Sequence, residues 1–290
     1  MARLPIFLLG ALFSLVWTSA YIAVQASLAW TDPLSLVAVR ILFAGFLMLS
    51  WIAAAGRLRT LKGRATHLAG LVLGVFNYAL YMGLSFSGLK TASTESVVLI
   101  AATAPFFAVI LAFCLGETRS WRQVLGMLVG FLGVYVVLSS RLKGGDDPHG
   151  MLLVLAGTVA LAIGTVWYRH QAMQIDAVAA TCLQNLYGGL VVLCFSPDPV
   201  GALAALSHPG YALAMAHLVA FCSIFNFLLW FALLRRVGTA QASSFHLLNP
   251  LFGIFLSAWF FGTPVRMSDL AGAAIVLCGI AVVSWRKKSR

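Results

Sequence analysis

The chain has 290 residues, of which 61% are hydrophobic and 9% charged, and it carries a net charge of +11. A soluble domain carries roughly a quarter charged residues, so this composition excludes a water-clothed globule and points to a bilayer. The positive charge is scattered between apolar runs and forms no single patch with interleaved aromatics, which argues against a nucleic-acid partner.

A membrane-crossing helix needs roughly 20 mostly apolar residues. Ten segments meet this in chain order, at approximately 4–24, 34–55, 67–87, 92–115, 121–140, 150–170, 177–196, 211–234, 239–261 and 267–285. The first run is too long for the apolar core of a signal peptide and is read as a retained span. With the N-terminus inside, fourteen Lys and Arg residues fall on the inner side and four (Lys90, Arg141, Lys143 and Arg266) on the outer side. That bias predicts a multi-pass protein of the inner (cytoplasmic) membrane with both termini cytoplasmic. Arg40 lies inside the second segment, where it is expected to snorkel to the outer headgroups or to pair with Asp32. The cysteines Cys114, Cys182, Cys194, Cys222 and Cys278 sit in apolar runs without a CxxC pair, so neither a metal site nor a disulfide framework is expected.

The two halves repeat one another. Phe76-Asn77-Tyr78-Ala79-Leu80-Tyr81 matches Phe225-Asn226-Phe227-Leu228-Leu229-Trp230, Thr91-Ala92-Ser93 resembles Thr239-Ala240-Gln241, and Pro105 matches Pro250. Gly116-Glu117-Thr118 aligns with Gly262-Thr263-Pro264, and Gly126 and Gly133 align with Gly272 and Gly279. Five spans per copy is an odd number, so the second copy enters from the opposite side. The expected fold is all-α integral membrane, ten transmembrane helices as two inverted five-helix repeats, 4–140 and 150–285. Rocking one such half against the other is the usual device of secondary transporters.

On these features the chain resembles the drug/metabolite transporter superfamily, specifically its EamA-type ten-helix exporters. The resemblance rests on Trp17, the Pro33 to Arg40 opening of the second segment, Pro105, and the Leu-Gly-Glu-Thr run at 115–118 leading into a glycine-spaced helix. It implies export of amino acids or related metabolites, driven by ion exchange. One departure stands out. The second copy has Thr263 where the family often has Glu, so any contact that Glu makes is absent from one half.

Polar groups inside a membrane are costly and mark cavities or helix contacts. Asn77 and Tyr81 share a face of the third segment, with Tyr78 beside them, and Asn226 and Trp230 repeat the arrangement in the eighth. An amide beside an aromatic ring suits a zwitterionic or aromatic ligand, and interhelical hydrogen bonding is the alternative. Trp17 and Tyr21 are candidate cavity residues or interfacial belts. Glu95, with Ser96 next to it, and His246 are the candidate proton-coupling groups, because each could titrate if buried. Asn249 follows His246 on the same face. Pro105 and Pro250 remove backbone donors and are expected to kink their helices. The glycines of the fifth and tenth segments read as close-packing contacts or a dimer face.

The expected function is a secondary active transporter exporting small metabolites by alternating access. The alternatives are a multidrug or lipid-linked substrate translocase of the same architecture and, remotely, an intramembrane enzyme or receptor. HExxH, GxSxG and P-loop motifs are absent, so enzymatic activity is not expected. No cofactor and no metal are expected. The expected partners are a small-molecule substrate, the lipid bilayer and a coupling proton, acting on a monomer or homodimer.

Overall fold

A computed structural model describes residues 5–88, 91–117, 120–139, 145–262 and 264–284. Ten spans cross the bundle among the described residues: α1 Ile6–Ser27, α2 Pro33–Ala54, α3 Arg64–Gly88, α4 94–114, α5 Trp121–Ser139, α6 Pro148–Gln171, α7 Ala177–Leu193, α8 209–237, α9 239–261 and α10 Met267–Ser284. Several helices begin earlier than their apolar runs because polar caps set their ends. Asp32 accepts from the Leu34 and Ser35 amides at 3.0 Å each, and Asp147 and Asp176 do the same for α6 and α7. Proline at the first helical position of α2 and α6 costs no hydrogen bond there. After α7 a short helix, Pro199–Ala204, packs against α2. The hydropathy pattern gave no sign of it.

The packing shows the inverted repeat directly. Helix α3 packs on α6 and α7, and its counterpart α8 packs on α1 and α2. Helix α4 packs on α6, and its counterpart α9 packs on α1. The remaining pairs, α5 with α10 and α2 with α7, lie across the pseudo-two-fold itself. Lipid offers no hydrophobic drive between helices, so such pairs depend on close backbone approach. A Cβ added at Gly133 would lie 2.7 Å from the Gly272 carbonyl oxygen, and one at Gly126 2.6 Å from the Gly279 carbonyl oxygen. The glycines of α5 and α10 are therefore occupied by each other within one chain, which removes the basis for reading them as a dimer face.

The spans near the middle of the bundle are irregular at matching places. Helix α4 is broken at Ala102–Thr103, before Pro105, and α9 tightens into a 3-10 turn at Phe245–Leu248, before Pro250. Each proline lacks the amide that would continue the ladder, so the regular α pattern is interrupted just before it. Helices α3 and α8 each contain a wider π-type stretch, Val75–Leu80 and Leu218–Phe225. Such turns frequently accompany functional sites. Helices α8 and α9 join at Gly238, whose φ of 78° turns the chain without a loop.

Candidate functional site

Spans of alternating direction put the start of α1 and the ends of α2, α4, α6 and α8 at one end of the bundle, here the N-terminal face. Between the halves lie two adjoining cavities of about 80 and 270 Å³. They share Trp17, Tyr21, Tyr81, Val98 and Ala101, so they are lobes of one space. The smaller lobe adds Arg40 from α2, Ser85 from α3, and Cys222, Asn226 and Phe227 from α8. The larger adds His246, Asn249 and Pro250 from α9 and runs along α1 to Gln25, away from the N-terminal face.

Aromatic rings form the floor. Phe13 stacks on Trp230 at 4.9 Å, and the His246 ring lies 5.0–5.1 Å from Phe13, Trp17 and Trp230. His246 Nδ1 sits 3.2 Å from the side-chain amide of Asn249, which fixes the ring against the start of α9. Ser14 donates to the Phe245 carbonyl oxygen at 3.0 Å and contacts Asn249 Oδ1, which ties α1 to the broken turn of α9.

Below the floor, the N-terminal face is held by a charged cluster. Glu117 Oε1 accepts from Thr239 Oγ1 at 3.0 Å and lies 3.2 Å from His170 Nε2 and 3.9 Å from Arg169 Nε. Arg169 also donates to the Leu234 carbonyl oxygen at 3.1 Å. One carboxylate thus joins the ends of α4 and α6 to the start of α9. A second, more polar cavity of about 510 Å³ opens beside this cluster. At the opposite end, Asp146 accepts from the Ser93 amide at 2.7 Å and from the hydroxyls of Ser93 and Ser96. These bonds hold its carboxyl below the usual carboxylate range, the Ser96 hydroxyl contributing most. Thr263 lies outside the described residues.

Among the candidates read from the sequence, the cavity gathers Trp17, Tyr21, Tyr81, Asn226, His246, Asn249 and Pro250. The structure places others elsewhere. Asn77 donates to Gln184 Oε1 at 3.2 Å, and Tyr78 donates to Asn185 Oδ1 at 3.0 Å, both buried between α3 and α7. Trp230 belongs to the aromatic floor and lines neither lobe, Ser96 belongs to the Asp146 clasp, and Pro105 follows the break in α4 without lining either lobe. The side chain of Glu95 lies outside the described residues.

Two residues were missed. Phe13, one turn before Trp17, completes the floor; its helical spacing from Trp17 was the available signal. Arg40 does not snorkel or pair with Asp32. It is 2% exposed and faces the smaller lobe, while Asp32 is committed to capping α2. A basic residue two turns inside an apolar span was its signal.

A ten-span bundle of two inverted copies, with a cavity at their seam, defines a multi-pass membrane transporter. The chain belongs to the EamA-like transporter family, whose pattern matches residues 4–139 and 148–285. It is similar to the uncharacterized transporter YvbV of Bacillus subtilis (strain 168), 28% identical over 98% of this chain and 92% of that protein. It is also similar to the uncharacterized inner membrane transporter YedA of Escherichia coli (strain K12), 26% identical over 98% of this chain and 92% of the relative. A solved crystal structure shares the fold, with a TM-score of 0.79 over 96% of each chain at 22% identity.

Proposed function

We propose that this transporter is a secondary active exporter of small metabolites, amino acids or related compounds, across the cytoplasmic membrane by alternating access. Both termini face the cytoplasm in this reading, and the bias of Lys and Arg toward the N-terminal face supports it. The observation that carries the proposal is the seam cavity, closed toward the N-terminal face by the Phe13–Trp230–His246 floor and continued toward the other face along α1. A site between inverted halves, shut on one side at a time, is what alternating access requires. Lobes of about 80 and 270 Å³ suit a small metabolite better than a lipid-linked sugar.

Proton coupling is assigned to His246 and Glu95. His246 lines the larger lobe among three aromatic rings, whose faces could hold an imidazolium by cation–π attraction. Purified protein in liposomes preloaded with radiolabelled amino acids tests this. Efflux is expected to accelerate when a pH gradient is imposed. Undiminished gradient-driven efflux in both His246→Ala and Glu95→Gln rejects proton coupling through these groups, and no efflux of any amino acid rejects the substrate reading.

A further inference from the structure

The two copies differ most where they should be most alike. Asp32 caps α2 and Asp176 caps α7, and Arg40 and Gln184 each lie eight residues beyond their cap. They are therefore counterparts, as are Asn226 and Asn77. In one copy the counterparts bond to each other, Asn77 Nδ2 donating to Gln184 Oε1 at 3.2 Å, with Asn77 Oδ1 and Gln184 Nε2 left without partners among the described residues. In the other they do not. Asn226 is 1% exposed and Arg40 2% exposed, and among the described residues neither Asn226 Oδ1 nor Arg40 Nε has a partner. Among the described residues, the one hydrogen-bond contact of Arg40 is Nη2 to the Met82 sulfur at 3.8 Å, a weak acceptor. Among the described residues no carboxylate lines this lobe or lies within ion-pair distance of Arg40.

A guanidinium stays charged in any protein setting, so burial without a counter-ion is costly unless a ligand supplies one. Arg40 and Asn226 both line the same small lobe, as does Ser85, whose buried Oγ also has no partner among the described residues. The remaining wall is mostly apolar or aromatic, with Trp17, Tyr21, Tyr81, Phe86, Val97 and Val98 among its residues. We infer that Arg40 is the anchor for the carboxylate of the transported molecule, that Asn226 Oδ1 accepts from a donor group on the same molecule, and that the substrate class is a small carboxylate with an apolar or aromatic body. The inference rests on the export reading above and narrows it. Cations lacking an acid group, including simple amines, are excluded by charge repulsion from Arg40.

Three probes with one apolar body test it: phenylalanine, phenylpropionate and phenethylamine, titrated calorimetrically onto the full chain in lipid nanodiscs, with empty nanodiscs subtracted. Both carboxylates are expected to bind and the amine not to. Arg40→Gln is expected to weaken carboxylate binding by about tenfold or more, the scale of one charge-assisted hydrogen bond. Arg40→Lys is expected to recover part of the loss, since it keeps the charge but not the planar fork. The inference is overturned if phenethylamine binds as tightly as the carboxylates, or if folded Arg40→Gln protein binds them as tightly as wild type. The wild-type probe series decides the matter even if Arg40→Gln does not fold. Efflux that survives loss of the anchor would leave the export reading standing, and carboxylate binding without efflux would support the anchor and remove the export reading.

Discussion

The α5–α10 seam allows a substitution whose sign can be worked out in advance. A Cβ at Gly133 would lie 2.7 Å from both the Gly272 carbonyl oxygen and the Val276 amide nitrogen. Ordinary contact begins near 3.4 Å, so the helices must part by about 0.7 Å, and the obstruction is backbone that cannot swing aside. Overpacking of this kind costs about 1–3 kcal/mol, while replacing glycine by alanine in a helix returns up to about 1 kcal/mol. Gly133→Ala should therefore destabilise the protein by about 1–2 kcal/mol net. Gly83, in α3, has nothing within 4 Å of its would-be Cβ, so Gly83→Ala should be neutral or stabilising. Thermal melting of both variants in one detergent, followed by size-exclusion fluorescence, separates the two effects. A Gly133→Ala protein that melts at or above wild type would refute the close-packed seam.

Two further outcomes follow from the buried and solvent-facing polar contacts. Tyr78→Phe removes the donor to Asn185 Oδ1 in a buried site, which should cost about 1–3 kcal/mol in melting experiments and leave substrate affinity unchanged, because Tyr78 lines neither lobe. Asp146, held below the ordinary carboxylate value, contributes stability that is present above about pH 3.9 and is lost as pH falls through its lower folded value. Melting temperature recorded from pH 7 downward should fall less steeply at the acid end in Asp146→Asn than in wild type, although Asp147, depressed chiefly by the His149 amide, retains part of the slope. An identical acid slope in the two proteins would show that the Ser93–Ser96–Asp146 clasp does not contribute.

The architecture was legible because lipid imposes a simple rule: a span long enough to cross must read as a long apolar run, whatever packs against it. The ten spans and the inverted repeat followed from that rule and from matched prolines, glycines and asparagines. The cavity was harder to read, for reasons that particular residues make plain. Asn77 and Asn226 occupy equivalent positions, and the sequence alone gives them equal standing as ligand contacts. Which one faces the cavity is settled on another helix, by Gln184 offering the first an amide partner and Arg40 leaving the second without one. Arg40 was misjudged because a basic residue in a span has two physical outcomes, snorkelling or burial, and they differ only in which way the helix is turned. His246, Asn249 and Trp17 were found because each combines polarity or bulk with mid-span depth. Phe13 was overlooked because one phenylalanine among 20 carries no mark of its own.

Helices α8 and α9 meet at Gly238 with no loop between them. Asn226 lies on α8 and His246 on the turn that opens α9, so the smaller and larger lobes are each walled by one arm of a single elbow. In the first copy the corresponding arms, α3 and α4, are separated by residues 89–93. A tilt of α9 about that elbow would reshape both lobes together.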